Sequence, residues 1–128
     1  MSAGRPERND PAPHGAEGDA VNAPLALRVE DIAACGDFVR LATIDGLTVD
    51  LRYAGSDNFA RRVLYGGIDC AWIRREAAAG LVQAVAWLAA HAPARHLVVL
   101  DALRPQRVQE AIWRDVAGTP MARYFAPP

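Results

Sequence analysis

The stretch Leu97-Val98-Val99-Leu100-Asp101 constrains this chain more than any other. It is a short apolar run between turn signals, the pattern of a buried strand. Arg104-Pro105 then leads into a helix over about 105–117, with proline at its first position, where a missing N–H is tolerated. Val108, Ala111, Ile112 and Val116 form the apolar face of that helix, and Gly118-Thr119-Pro120 stops it. Upstream, Leu47, Val49, Leu51 and Tyr53 alternate with Thr48, Asp50 and Arg52, the period of a half-buried strand. Phe38 to Ile44 is also apolar-rich, and Asp45-Gly46 between the two runs suits a type I′ turn. The spacing therefore predicts an antiparallel hairpin of 38–44 with 47–53. A helix over roughly 73–91 follows, carrying Leu81, Val85 and Leu88 with Ala77 and Ala84, and Pro93 terminates it. Hairpin, helix, strand and helix together make the fold class α+β.

Residues 1–24 stand apart. They hold four of the nine prolines, and beyond Met1 their only bulky aliphatic residue is Val21, so they cannot bury enough surface to offset ordering entropy. They are expected to be a disordered tail, with His14 solvated, and 25–128 the folded part. Tyr53 to Phe59 is a loop by composition, and Gly66-Gly67 interrupts the segment after it. No run reaches the ~20 apolar residues of a membrane span. The formal charge of −1 lacks the basic excess of a nucleic-acid binder. All 14 basic residues are arginine, a bias that gives any single arginine little weight by itself. Cys35 and Cys70 are not spaced as a metal or redox pair and read as two buried, reduced thiols. Trp72, Trp87 and Trp113 lie in or beside helical segments and read as packing residues. The first residues show no apolar export segment, so the default compartment is the cytoplasm; a misassigned start would open the periplasm.

The chemistry concentrates where the 97–101 strand ends. It delivers Asp101 and, three residues on, Arg104 at a helix start, a junction where sites often sit. In one reading Asp101 pairs with Arg104 or Arg107 and caps the helix. In the other, Arg104 points into a cleft and stabilises an oxyanion, with Asp101 orienting it.

The residues LVVLDALRPQRVQEAIW resemble the strand–Asp–x–x–Arg–Pro–helix segment of bacterial zinc D-alanyl-D-alanine dipeptidases, the family that includes vancomycin-resistance dipeptidases. LRYAGSDNF followed by VLY resembles the same family's Tyr–x–x–x–Asn/Asp-Asn-Phe segment with its downstream Tyr, and VAGTPMARYFAPP resembles the stretch after its second helix. The resemblance runs over about 27–128, with three motifs in order. It implies the mixed helix–antiparallel-sheet fold of the hedgehog/DD-peptidase type, and zinc-dependent hydrolysis of the D-Ala-D-Ala dipeptide in cell-wall peptide turnover. In the family, zinc is held by His, Asp and His, a Glu is the general base, and an Arg faces the tetrahedral oxyanion. By motif, that catalytic Arg is Arg104. Tyr53, Asp57, Asn58, Tyr65 and Asp101 fall in the segments that resemble the substrate-side loops.

The resemblance stops before the metal site. The family's Ser–x–His–x6–Asp segment is absent: seven residues after His91 stands Val98, and seven after His96 stands Leu103. Ala60-Arg61 also follows Asn58-Phe59 where the family often has glycine. Residues 25–128 are thus expected to be a partial dipeptidase-like domain without its C-terminal metal-binding half, inactive alone. Its 97–101 strand would then present an unpaired edge. The alternatives are a non-catalytic module that binds a peptide or partner, and a pseudogene product.

Overall fold

The computed structural model describes residues 26–128; the tail expected over 1–24, and His14 with it, lies outside them. The described residues form a mixed α+β fold with two small sheets. Strand β1 (Phe38–Arg40) pairs antiparallel with β3 (Trp72–Arg74), and β2 (Leu47–Val49) pairs parallel with β4 (Leu97–Val99). Helix α1 (Arg75–His91) follows β3 directly and carries the crossover from β2 to β4. Helix α2 (Gln106–Val116) follows β4. Short 3-10 turns occupy Val29–Ala34, Leu41–Thr43 and Pro120–Tyr124.

The expected hairpin does not form. Its two runs flank the Asp45-Gly46 turn, but each pairs with a different, distant strand. The cause is burial. Leu41–Thr43 coils into a 3-10 turn, closed by a bond from the Ile44 amide to the Leu41 carbonyl at 3.0 Å. That turn sends Leu41 and Ile44, 0% and 6% exposed, into one cluster with Ala78 of α1. A continuous strand over 38–44 would place these two residues, three apart, on opposite faces. Gly46 keeps the turn's left-handed backbone at φ +77°, and a Cβ there would meet Val85 Cγ1 of α1 at 2.8 Å.

The 97–101 strand has a partner on one edge, while its other edge has no strand beside it among the described residues, the unpaired edge that the sequence predicts. Its first three residues pair with β2, and bonds from the Asp50 and Arg52 amides to the Val99 and Leu100 carbonyls, both 2.9 Å, continue the pairing toward Asp101. The parallel partner was hidden from the sequence because α1 and the loop before it intervene.

Two apolar clusters result. Leu47, Val49, Val99 and Leu81 pack with the Leu41–Ile44–Ala78 group. Val108, Ile112 and Val116, one stripe of α2, close on Tyr65 and Cys70, with Leu51, Tyr53, Trp113 and Phe125 around them. Trp113 thus packs as expected. Trp72 also packs as expected: it is buried in β3, directly before α1, under the Arg40 guanidinium at 4.5 Å. Trp87 is not a core residue: it is 60% exposed on α1 and stacks on the His91 ring at 4.5 Å.

The cysteines also separate. Cys70 is buried, whereas Cys35, the residue that ends the Val29–Ala34 turn, is only half-buried, so two buried thiols are not found. Burial, then the charges of Asp69 and Asp101, push the Cys70 thiol up to about 11. Alkylation of the native chain at about pH 8 is expected to modify Cys35 first and Cys70 only on unfolding, as read by peptide mass. An unfolded thiol loses its proton near ~8.5. Above that value the native state holds the extra proton, so the stability contributed by neutral Cys70 falls as pH rises toward the folded value. A Cys70 that labels as fast as Cys35 would contradict its place in the core.

Candidate anion-binding cleft

The site begins where β4 runs out. The bond from the Arg52 amide to the Leu100 carbonyl holds the chain straight up to Asp101, and α2 starts at Gln106. The four residues between are too few for slack, so Asp101 and Arg104 are set by the two elements they join. The Asp101 carboxylate is divided. One oxygen accepts the Tyr65 hydroxyl and the Ala102 amide, the latter at 3.1 Å; the other pairs with Arg104 Nη2. Asp101 thus pairs with Arg104, as one sequence reading expects, but it does not cap the helix: α2 begins after Pro105 with no side-chain cap bond, and Arg107 pairs with Glu30 instead. Arg104 also borders a cleft.

Tyr65 is 1% exposed. Burial first, then its bond to Asp101 and the charge there, hold its phenol well above the usual range, so it remains a hydrogen-bond donor. Burial works against the Arg104 charge, but the Asp101 hydrogen bond and carboxylate outweigh it and raise the guanidinium further. The guanidinium carbon lies 4.9 Å from the Tyr53 ring centroid, and Nη1 donates to Gln109 Oε1 at 2.7 Å. The buried Nε has no partner among the described residues. A guanidinium carries five N–H donors, so the bonds to Asp101 and Gln109 leave capacity for a further anion.

This fork borders a cleft of about 490 Å³, lined by Tyr53, Phe59, Asp101, Arg104, Tyr124 and Phe125 among others. One wall is the loop from Tyr53 to Tyr65. Its ends meet because the Leu64 and Tyr65 amides both donate to the Tyr53 carbonyl, at 2.9 and 3.0 Å. Asn58 staples the interior: Nδ2 lies 3.1, 2.8 and 2.8 Å from the Arg52, Gly55 and Arg62 carbonyls, and Oδ1 accepts the Ala60 amide at 2.9 Å. The opposite wall is the 3-10 turn Pro120–Tyr124 with Phe125, whose ring lies 4.8 Å from that of Phe59.

Five of the six site residues named from sequence line this one cleft: Tyr53, Asp57, Asn58, Asp101 and Arg104. Tyr65 lies beneath it, reaching it through Asp101. The geometry distinguishes their tasks. The Asn58 donors are spent on its own loop, and Asp57 pairs with Arg52 on the outside, its side chain 86% exposed. Sequence reasoning missed Phe59, Gln109, Tyr124 and Phe125. For the two C-terminal ones the signals were the aromatic residues of the last segment and the resemblance that VAGTPMARYFAPP carries.

The resemblance implies zinc. Among the described residues no three His, Cys, Asp or Glu side chains come together as a metal site. His91 and His96 are both exposed, and His91 Nδ1 lies 2.8 Å from the Trp87 carbonyl. The donors described do not fit the implied ion. What the cleft offers is a permanently charged planar donor against aromatic walls, suited to a carboxylate or to negative charge developing on a carbonyl oxygen. Among the described residues no helix is long and apolar enough to cross a membrane. Protein-family models, curated proteins and solved structures contain no match to this chain.

Proposed function

We propose that this chain provides the oxyanion-binding and substrate-side portion of a zinc D-alanyl-D-alanine dipeptidase, which splits the dipeptide into two D-alanines. One observation carries the reading: Arg104, fixed by Asp101, Tyr53 and Gln109, borders the same cleft as the Tyr53–Phe59 loop. In peptide hydrolysis the carbonyl oxygen gains negative charge as the carbon becomes tetrahedral. Arg104 would donate N–H bonds to that oxygen, and its charge is present at any working pH. Asp101 would keep the guanidinium turned to the reacting carbonyl, with Tyr65 holding Asp101 from the core side. The Tyr53 and Phe59 rings suit the small apolar body of the dipeptide. The hydrolytic water, its base and the metal ligands are not among the groups this cleft supplies, so turnover requires them from further sequence.

The test is a titration of the 128-residue chain with D-Ala-D-Ala, followed by NMR. The expected result is a Kd in the millimolar range, about −4 kcal/mol, with shifts confined to Tyr53, Phe59, Arg104 and Phe125. No shifts, or shifts centred elsewhere, would overturn the assignment.

A second reading is a binding module for peptide carboxylates that performs no hydrolysis. The free donors of the Arg104 fork beside aromatic walls favour it, since they suit a carboxylate without any further group. It predicts dipeptide binding with no release of D-alanine after zinc addition, including from any longer product of the same locus.

A further inference from the structure

We propose that Gln109 is a positioning residue that couples the Arg104 guanidinium to the seating of the 120–126 segment, so that the wall of the cleft and its charged group move as one. Gln109 lies in the first turn of α2 and spends both ends of its amide. Its Oε1 accepts Arg104 Nη1 at 2.7 Å, and its Nε2 donates to the Ala126 carbonyl at 2.5 Å. The orientation of the amide is dictated by chemistry. A guanidinium only donates and a backbone carbonyl only accepts, so a flipped amide would set donor against donor and acceptor against acceptor. Neither partner can be exchanged for the other, and losing one frees the amide to turn away from the second.

The segment beyond α2 has its own anchor. Phe125 packs on the cluster of Tyr65 and Ile112, and its ring meets Phe59 across the cleft at 4.8 Å. Met121, Tyr124 and Phe125 all line the cleft. Asp101 and Tyr53 hold Arg104 from the strand and loop side; among the described residues Gln109 alone hydrogen-bonds both Arg104 and the opposite wall, while the rings of Tyr53, Phe59 and Phe125 give a second route by packing, which the Gln109→Met background leaves in place. When 120–126 lifts, Gln109 loses its carbonyl and Arg104 loses one of its restraints. The coupling concerns any anion the cleft receives. It rests on the dipeptidase reading only for the identity of that anion.

The experiment follows the Arg104 Nε–H signal by NMR in the ligand-free chain, assigned by its loss in Arg104→Lys. Phe125→Leu, which loosens the anchor while keeping an apolar side chain, is expected to shift that signal in the otherwise unaltered chain. In a Gln109→Met background, which keeps the side-chain length and removes both bonds, the same substitution should shift it less than a fifth as much. Gln109→Glu retains the acceptor for Arg104 and removes the donor to Ala126. It should leave the Arg104 signal dispersed while amide exchange at Phe125 speeds up at least tenfold. Resonances of α1 report whether each variant is folded. An Arg104 signal that ignores Phe125→Leu, or responds equally with and without Gln109, would overturn the coupling. Failure of the unaltered chain to bind D-Ala-D-Ala would count against the proposed function and not against the coupling, which the ligand-free signals decide.

Discussion

Arg104→Ala is expected to weaken D-Ala-D-Ala binding about 10- to 100-fold. A hydrogen bond to a charged group contributes about 1.5–3 kcal/mol, and each 1.4 kcal/mol is a factor of ten. Should a longer form of the protein turn over the dipeptide, the same change should lower kcat by about 10²–10³, the usual effect of removing one oxyanion donor. Arg104→Lys is expected to recover only part of the loss. An ammonium keeps the charge but has no planar fork to serve Asp101, Gln109 and a ligand at once. Calorimetry on the three proteins reads the affinity, and a thermal melt separates it from stability. In Arg104→Ala the Asp101 carboxylate keeps the Tyr65 hydroxyl and the Ala102 amide, so the melting temperature should fall far less than the affinity. A Kd within twofold of the unaltered chain would move the anion contact to another group.

Ile112→Ala is expected to lower the unfolding free energy by about 2–5 kcal/mol, against total stabilities of about 5–15 kcal/mol for whole domains. Ile112 has no exposed surface and sits at the middle of the Val108–Ile112–Val116 stripe, against Tyr65 and Cys70. Truncation would leave a cavity beneath the residue that holds Asp101, so the variant should also loosen the cleft. Ile112→Val removes one methylene and is expected to cost about 0.5–1.5 kcal/mol. Val82→Ala, at a position 54% exposed on α1, should change stability by less than about 0.5 kcal/mol. Urea unfolding of the three variants gives the comparison. An Ile112→Ala cost below that of Ile112→Val would mean that this cluster does not hold the fold.

The parts of the site that could be read in advance share one property: their geometry is local. Asp101 and Arg104 are separated by two residues at a strand exit, and the elements on either side leave them no room to diverge. Their pairing follows from that spacing, and the structure contains it. Tyr53 was marked by the alternation that ends in it. Asn58 falls in a stretch that reads as a loop by composition, but its three carbonyl partners become visible only once the loop has closed. Gln109 carried no signal. A glutamine in the first turn of a helix is ordinary, and its meaning comes from a carbonyl 17 residues away.

From its residues alone this chain determined where apolar faces would lie: the α2 stripe, the Leu81–Val85–Leu88 side of α1 and the inward positions of Leu47 and Val49. Side-chain period is a property of the backbone, and it survives whatever packs against it. Pairing is another matter. A period says which face of a strand is buried and nothing about its neighbour. Leu41 and Ile44 enter the α1 cluster together, whereas a continuous strand over 38–44 would have turned one of them to the other face. The partner of each strand, the two walls of the cleft and the bridge from Arg104 to the last residues were therefore decided by tertiary burial. That free energy depends on surfaces that meet only when distant segments are already in place.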